Sequence, residues 1–314
     1  MAELGKALYD KVIDNIEKVI VGKREVLTLV ITSLVAGGHV LIEDVPGTGK
    51  TKLAKALAKS FDTGFSRIQF TPDLLPSDIT GLNVYDPKTG DFVLRKGPVF
   101  TNILLADEIN RATPRTQAGL LEVMEECQIT IDGESFMPGR PFFVIATQNP
   151  VETSGTFPLP EAQMDRFMMK LSVGIPGHDE EIAILDKYQS DDPLEGLTAV
   201  VSPEELNAVS QEADGVFVHP SIKDYIVRLA EGTRSNNDVL MGVSPRGSLA
   251  LLHASKAYAC LHDRTYCIPD DVKAVAKAVL VHRIILGYGK STDCEKFISD
   301  LIKRTEVPTE DFRA

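Results

Sequence analysis

The run Val45-Pro46-Gly47-Thr48-Gly49-Lys50-Thr51 combines two glycines, a lysine and a hydroxyl in the order that a phosphate-binding turn requires. Gly47 and Gly49 permit a backbone whose consecutive N–H groups converge on an anion at a helix N-terminus, and Lys50 supplies charge for the outer phosphates. The Thr51 hydroxyl is placed to ligate magnesium, and Pro46, Thr48 and Lys52 complete the candidate cofactor-binding stretch. The pattern GxxxxGK[ST] is broken at one place, where Asp44 stands for the first glycine. That position begins the loop and does not cradle phosphate. A glycine turn before an ordinary surface helix is the plain alternative, and it leaves the complete GTGKT unexplained. The sequence therefore predicts binding of ATP with Mg2+.

Two further runs carry chemistry of the same kind. Ile103-Leu104-Leu105-Ala106 is apolar and ends in Asp107-Glu108, and an apolar strand has no structural reason to finish on two carboxylates. Beside a phosphate loop, Asp107 would hold the magnesium through water and Glu108 would polarise the attacking water. Phe143-Val144-Ile145-Ala146-Thr147 ends in Gln148-Asn149-Pro150. Asn149 is a candidate for orienting that water, because an amide donates hydrogen bonds that ionised acids cannot. On local grounds alone, Asn149 also reads as a turn asparagine before proline.

The elements that must position these residues follow from the apolar pattern. Helical spacing marks 6–20 and 23–36, then a short branched run at 39–42 feeds the glycine turn and a lysine-rich helix from 50 to 60. Further strand-like runs fall at 66–70, 103–106, 142–147 and 168–173, separated by helical or looped segments. This alternation predicts an α/β fold with a parallel five-stranded sheet between helices. Residues 78–84 and 91–94 flank a turn at 86–90 and read as a hairpin insertion, and 128–131 with Asp132-Gly133 and Phe136 reads as a second. After Gly174 to Gly177 strand-like runs disappear, and helices are expected near 178–189, 203–213, 220–232, 245–262 and 270–281. The expected domains are thus 1–176, carrying the sheet, and an all-α domain at 177–314.

Composition narrows the partners. The 314 residues hold 45 Asp and Glu against 33 Lys and Arg, a net charge of −12, which argues against a surface made for nucleic acid. The first twenty residues mix charges into every turn, unlike a signal peptide. No apolar run reaches the ~18 residues that span a bilayer, so the expectation is a cytoplasmic protein. Cys127, Cys260, Cys267 and Cys294 lack CxxC or histidine spacing for zinc and read as free, mostly buried thiols.

With these motifs in order, the chain resembles the AAA+ ATPases and, in detail, the MoxR family. The resemblance rests on EDVPGTGKT at 43–51, LLADEINRATPRTQ at 104–117, LLEVMEE at 120–126, ATQNP at 146–150, FPLPEAQMDRF at 157–167 and SPR at 244–246. It covers nearly the whole chain. It implies an AAA+ ATPase domain followed by a helical lid, in ring-shaped oligomers, commonly hexamers, with ATP between subunits. Arg166 matches the family's arginine finger, reaching the next subunit's site. Arg246 matches the sensor 2 arginine, touching the γ-phosphate of its own subunit. Arg111 and Arg115 are further candidates facing the interface. Val21 and Gly22 sit where the family's linker passes the adenine, and a simple turn between two helices explains them equally well.

The implied activity is ATP-driven, chaperone-like remodelling or maturation of partner proteins, including ones with a von Willebrand factor A domain. Phe92, Phe136 and Met137 on the hairpins are candidates for contact with a client or for packing on their own domain. Two other readings stay open: a nucleotide-regulated adaptor with little turnover, and a DNA-directed AAA+ motor.

Overall fold

The computed structural model describes residues 3–150, 155–189, 191–287 and 293–313. The five apolar runs form five strands: β1 (Val40–Glu43), β2 (Phe65–Gln69), β3 (Ile103–Asp107), β4 (Phe143–Gln148) and β5 (Met169–Leu171). They lie in the order β2-β3-β4-β1-β5, and every neighbouring pair is parallel. Alternate residues feed two separate apolar clusters. Val40, Ile42, Ile103, Leu105, Phe143 and Ile145 enter one, while Leu41, Leu104, Ala106, Val144 and Ala146 enter the other. Burial on both faces explains why these strands read as unbroken apolar runs. Truncating one such leucine or isoleucine to alanine typically costs about 2–5 kcal/mol.

Helices α1 (Glu3–Ile16), α2 (Arg24–Val35) and α3 (Lys50–Ser60) precede and follow β1, and α4 (Pro114–Glu126) follows β3. Both expected hairpins are present. Gly81–Asp86 pairs antiparallel with Asp91–Lys96, and Ile129–Ile131 pairs with Glu134–Phe136. Asp132 and Gly133 have φ of 50° and 85°, the left-handed pair that a two-residue hairpin turn demands.

Beyond Gly177 come α5 (His178–Lys187), α6 (Pro203–Asp214), α7 (Pro220–Arg234), α8 (Pro245–Leu261), α9 (Pro269–Leu280) and α10 (Cys294–Arg304). Four of these begin with proline, whose fixed φ and missing N–H suit the first helical position. Ser202 accepts from the Glu205 N–H while the Glu205 carboxylate accepts from the Ser202 N–H, closing a capping box on α6. The expectation of purely helical structure after 177 is corrected in one respect: Val239–Met241 pairs antiparallel with Ile285–Leu286. Helix α10 lies beyond the helices read from the sequence. One apolar cluster joins Val12 of α1, Leu206 of α6, Leu251 of α8 and Ile42 of β1, so the C-terminal helices share a core with the sheet. Cys260 and Cys267 are buried, whereas Cys127 is exposed and Cys294 half-buried; all four thiols are free.

Candidate nucleotide site

The glycine turn leaves β1 and opens α3, so its N–H groups gather at the carboxyl edge of the sheet, where ligands bind in open α/β folds. Gly47 and Gly49 have φ of 88° and 85°. A Cβ on either would meet nothing within 4 Å, so left-handed backbone, not crowding, is what requires glycine. No side chain caps α3. Lys50 Nζ donates to the carbonyls of Asp44 and Val45, at 3.0 and 3.1 Å.

Asp44 accounts for the broken motif. Its buried carboxylate accepts from Ser172 Oγ at 2.8 Å and from the N–H groups of Val173 and Gly174 at 2.5 and 3.2 Å. A glycine there would leave the segment after β5 without an anchor. The departure from the pattern is a tie between the loop and the chain leading into the C-terminal helices.

Asp107 and Glu108 end β3 inside a network. Thr147 Oγ1 donates to Asp107 at 2.6 Å and accepts from the Glu108 N–H at 2.9 Å. Arg67 Nη2 donates to Asp107 at 2.6 Å, and Gln69 Nε2 donates to Glu108 at 2.7 Å. Arg111 Nη1 also reaches Glu108, at 3.0 Å. Glu108 has φ of 55°, a strained conformation for a residue with a Cβ that turns its side chain out of the strand path. Arg67 and Gln69 carry no motif signal; only their alternation around buried Ile68 on β2 marks them as sharing a face. Asn149 is buried one residue beyond β4 and lines the same cavity.

That cavity measures about 700 Å³. Lys50, Thr51, Lys52, Asp107, Glu108 and Asn149 are among its polar lining, and Ile20, Val21, Pro176, Ile184 and Tyr188 give it apolar surface suited to a flat base. Tyr188, missed in the sequence, is held by a hydrogen bond from its hydroxyl to the Val19 carbonyl at 3.0 Å, and Lys52 Nζ lies 3.5 Å from its ring centroid. Nearby, Lys187 donates to the Glu17 carbonyl, and burial holds its ammonium pKa below the ordinary value. The Gly177 N–H, and then Lys23, hold the Glu180 carboxyl below its usual range. Val21 faces the cavity and Gly22 does not. Gly22 has φ of 70°, and a Cβ there would lie 2.0 Å from Glu180, which accounts for the glycine without a ligand.

The structure keeps Arg166 and Arg246 out of the cavity. Arg166 donates to the Leu121 carbonyl at 2.9 Å and pairs with Glu125 at 3.0 Å. Arg246, just inside α8, pairs with the other oxygen of the same carboxylate. The expected contact of Arg246 with its own subunit's phosphate site is not what this geometry holds: its partner, Glu125, lies on α4. Arg115 is exposed near the start of α4, and Arg111 belongs to the Glu108 network. The apolar residues of the hairpins divide. Phe136 packs edge-on against Phe100 with centroids 6.1 Å apart, whereas Phe92 and Met137 are 72% and 53% exposed.

Among the described residues no helix is long and apolar enough to cross a membrane. A family model for the ATPase family associated with various cellular activities (AAA) matches residues 39–169, and one for the AAA lid domain matches 231–305. The chain is 47% identical over 306 residues to the uncharacterized protein YeaC of Bacillus subtilis, covering 96% of each. It is 41% identical to Chaperone MoxR1 of Mycobacterium tuberculosis, across 90% of this chain and 77% of that one. A crystal structure of a candidate ATPase from Cytophaga hutchinsonii superposes with a TM-score of 0.90 at 37% identity, over 98% of both chains. The parallel sheet, the glycine loop at its edge, the helical lid and these likenesses agree: the chain belongs to the MoxR family of AAA+ ATPases.

Proposed function

We propose that this protein is a magnesium-dependent ATP hydrolase whose complete site is built by two copies in a ring, commonly a hexamer, and that turnover drives remodelling or maturation of partner proteins in the cytoplasm. One separation carries the reading: Lys50, Thr51, Asp107, Glu108 and Asn149 share a cavity, whereas Arg166 and Arg246 meet on Glu125 outside it. Phosphoryl transfer needs cationic groups around the charge of the transferring phosphoryl. A second copy supplies them if its arginine-bearing face closes over the cavity.

Within the cavity, Lys50 exchanges its loop carbonyls for outer phosphate oxygens. Thr51 and Asp107 offer the oxygen donors that would hold magnesium, which when bound would supply positive charge against the phosphates. Glu108 accepts a proton from water as the water oxygen bonds to the γ-phosphorus and the bond to the ADP oxygen breaks, giving ADP and phosphate. Asn149 orients that water. For this, Glu108 must leave Gln69 and Arg111. The apolar surface of Val21 and Tyr188 receives adenine.

The likeness to a protein named as a chaperone supports a protein client, and a von Willebrand factor A domain is the client class we favour. The acidic balance of the chain speaks against nucleic acid. Mixing Arg166→Ala with Lys50→Ala tests the shared site: partial recovery of ATPase activity is expected, since some interfaces regain every group, and no recovery would overturn it. Affinity capture with Glu108→Gln should retain an ATP-dependent client; recovery of the protein alone would sink the remodelling claim.

A further inference from the structure

We propose that Arg283 is a positioning residue that locks Arg166 and Arg246 into one two-arginine unit, whose ligand is the terminal phosphate of ATP held by a second copy. The proposal rests on the shared-site reading above. Arg283 lies on the single turn Val281–Arg283 after α9, with 5% of its surface exposed. A guanidinium has five N–H donors, and here each finds an acceptor. Nε donates to Asp165 Oδ1 at 2.6 Å; Nη2 donates to the carbonyls of Asp165 and Phe167 at 3.1 and 2.7 Å. Nη1 donates to the Met168 carbonyl at 3.1 Å and to that of Val279. Four of these acceptors bracket Arg166 in the chain, so the backbone carrying the finger is gripped from both sides.

The same hub holds the other arginine. The second oxygen of Asp165 accepts from Ser244 Oγ at 2.9 Å, and Ser244 caps α8 through the Gly247 N–H. Arg246 therefore springs from a helix end bonded to the residue that precedes Arg166. Gly247 leaves room for this approach: a Cβ there would lie 2.6 Å from Val243 Cγ1 and 2.8 Å from Arg283 Cδ. At the outer end, Glu125 joins the two guanidinium tips. The arginines are thus fixed at base and tip, across residues far apart in sequence.

A buried ion pair is weak evidence for stability, because desolvation offsets most of the attraction. Five-point anchoring does something stability does not require: it removes rotational freedom from the segment that presents the finger. Misplacing a reacting group by about 1 Å can cost about 100-fold in rate.

The test uses full-length Arg283→Lys, which keeps the charge and loses the planar fork. The expected result is a kcat lowered about 10- to 100-fold, with affinity for a fluorescent ATP analogue changed less than about twofold, because the P-loop cavity is untouched. Mixing with Lys50→Ala subunits, which carry intact arginines and a disabled loop, should restore turnover. A parallel loss of nucleotide affinity would overturn the proposal, and so would absence of rescue under conditions where Arg166→Ala is rescued. Failure of Arg166→Ala itself to be rescued marks the shared-site reading, not the positioning step, as the fault. Should Arg283→Lys not fold, the isosteric Asp165→Asn carries the same expectations and the same overturning outcomes.

Discussion

The cavity at the carboxyl edge of the sheet and the face of α4 treat charge in opposite ways. In the cavity two carboxylates, Asp107 and Glu108, are held by cations and an amide of their own chain. On the α4 face two arginines are held by one carboxylate, Glu125. Each region neutralises inside a single copy what ATP and a second copy would otherwise neutralise. The difference teaches that the chain folds with both sets of charges satisfied internally, so under the proposed mechanism turnover would exchange ion pairs and not create charges.

The largest expected effects separate the two regions by kinetic signature. Lys50→Ala should abolish nucleotide binding, whereas Arg166→Ala should leave ATP affinity within about twofold and lower kcat about 1000-fold. Equilibrium binding with single-turnover hydrolysis distinguishes them; loss of affinity in both would erase the contrast.

A buried histidine ties the sheet to the α4 face. His39 accepts from the Val144 N–H on β4 and donates to the Met124 carbonyl on α4, beside Glu125, and burial pushes its pKa down to about 4. The unfolded chain takes up this proton first as pH falls below about 6.5, so the stability from neutral His39 is present above 6.5 and lost towards 4. The expected loss is about 3 kcal/mol by pH 4. His39→Gln should flatten that dependence in denaturant unfolding at pH 7 and pH 5; an unchanged slope would remove His39 as the titrating link.

Within the cavity, Tyr188→Ala should raise the KM for ATP about tenfold and spare kcat, as expected for uniform binding. A selective fall in kcat would mean that Tyr188 acts on chemistry. The smallest effect concerns Arg67, the one arginine of the lining set that pairs with Asp107. If it only balances that carboxylate, Arg67→Ala lowers kcat less than about tenfold and reduces the magnesium needed for half-maximal activity. A loss of about 1000-fold would move the transition-state cation into the same copy.

The loop glycines, Lys50, the paired acids and the five strands were legible because their signals are local: a fixed spacing, or an apolar run with both faces buried. Arg67 and Gln69 were not, since a polar residue on an edge strand reads as solvated until Asp107 and Glu108 are seen beside it. Tyr188 became a lining residue only through the packing of α5 against the chain at Val19. The strands Val239–Met241 and Ile285–Leu286 are too short for a period of two to register. Arg283 and Asp165 meet across 118 positions, and a short-range pattern carries no trace of such a pair. Arg246 was placed on its own subunit's phosphate by resemblance; the shared carboxylate of Glu125, which puts it beside Arg166, is a tertiary fact.

Asp44 gives the molecule a built-in gauge. Because its carboxylate holds the amide hydrogens of Val173 and Gly174, the rate at which those two protons trade with heavy water reports how firmly the glycine loop grips the strand end. Nucleotide that pulls on the loop would be read out as a change in isotope uptake at Gly174, which lines the cavity, and at Val173, which does not. The residue that spoils the glycine pattern thus turns the loop's tension into something a spectrometer can follow.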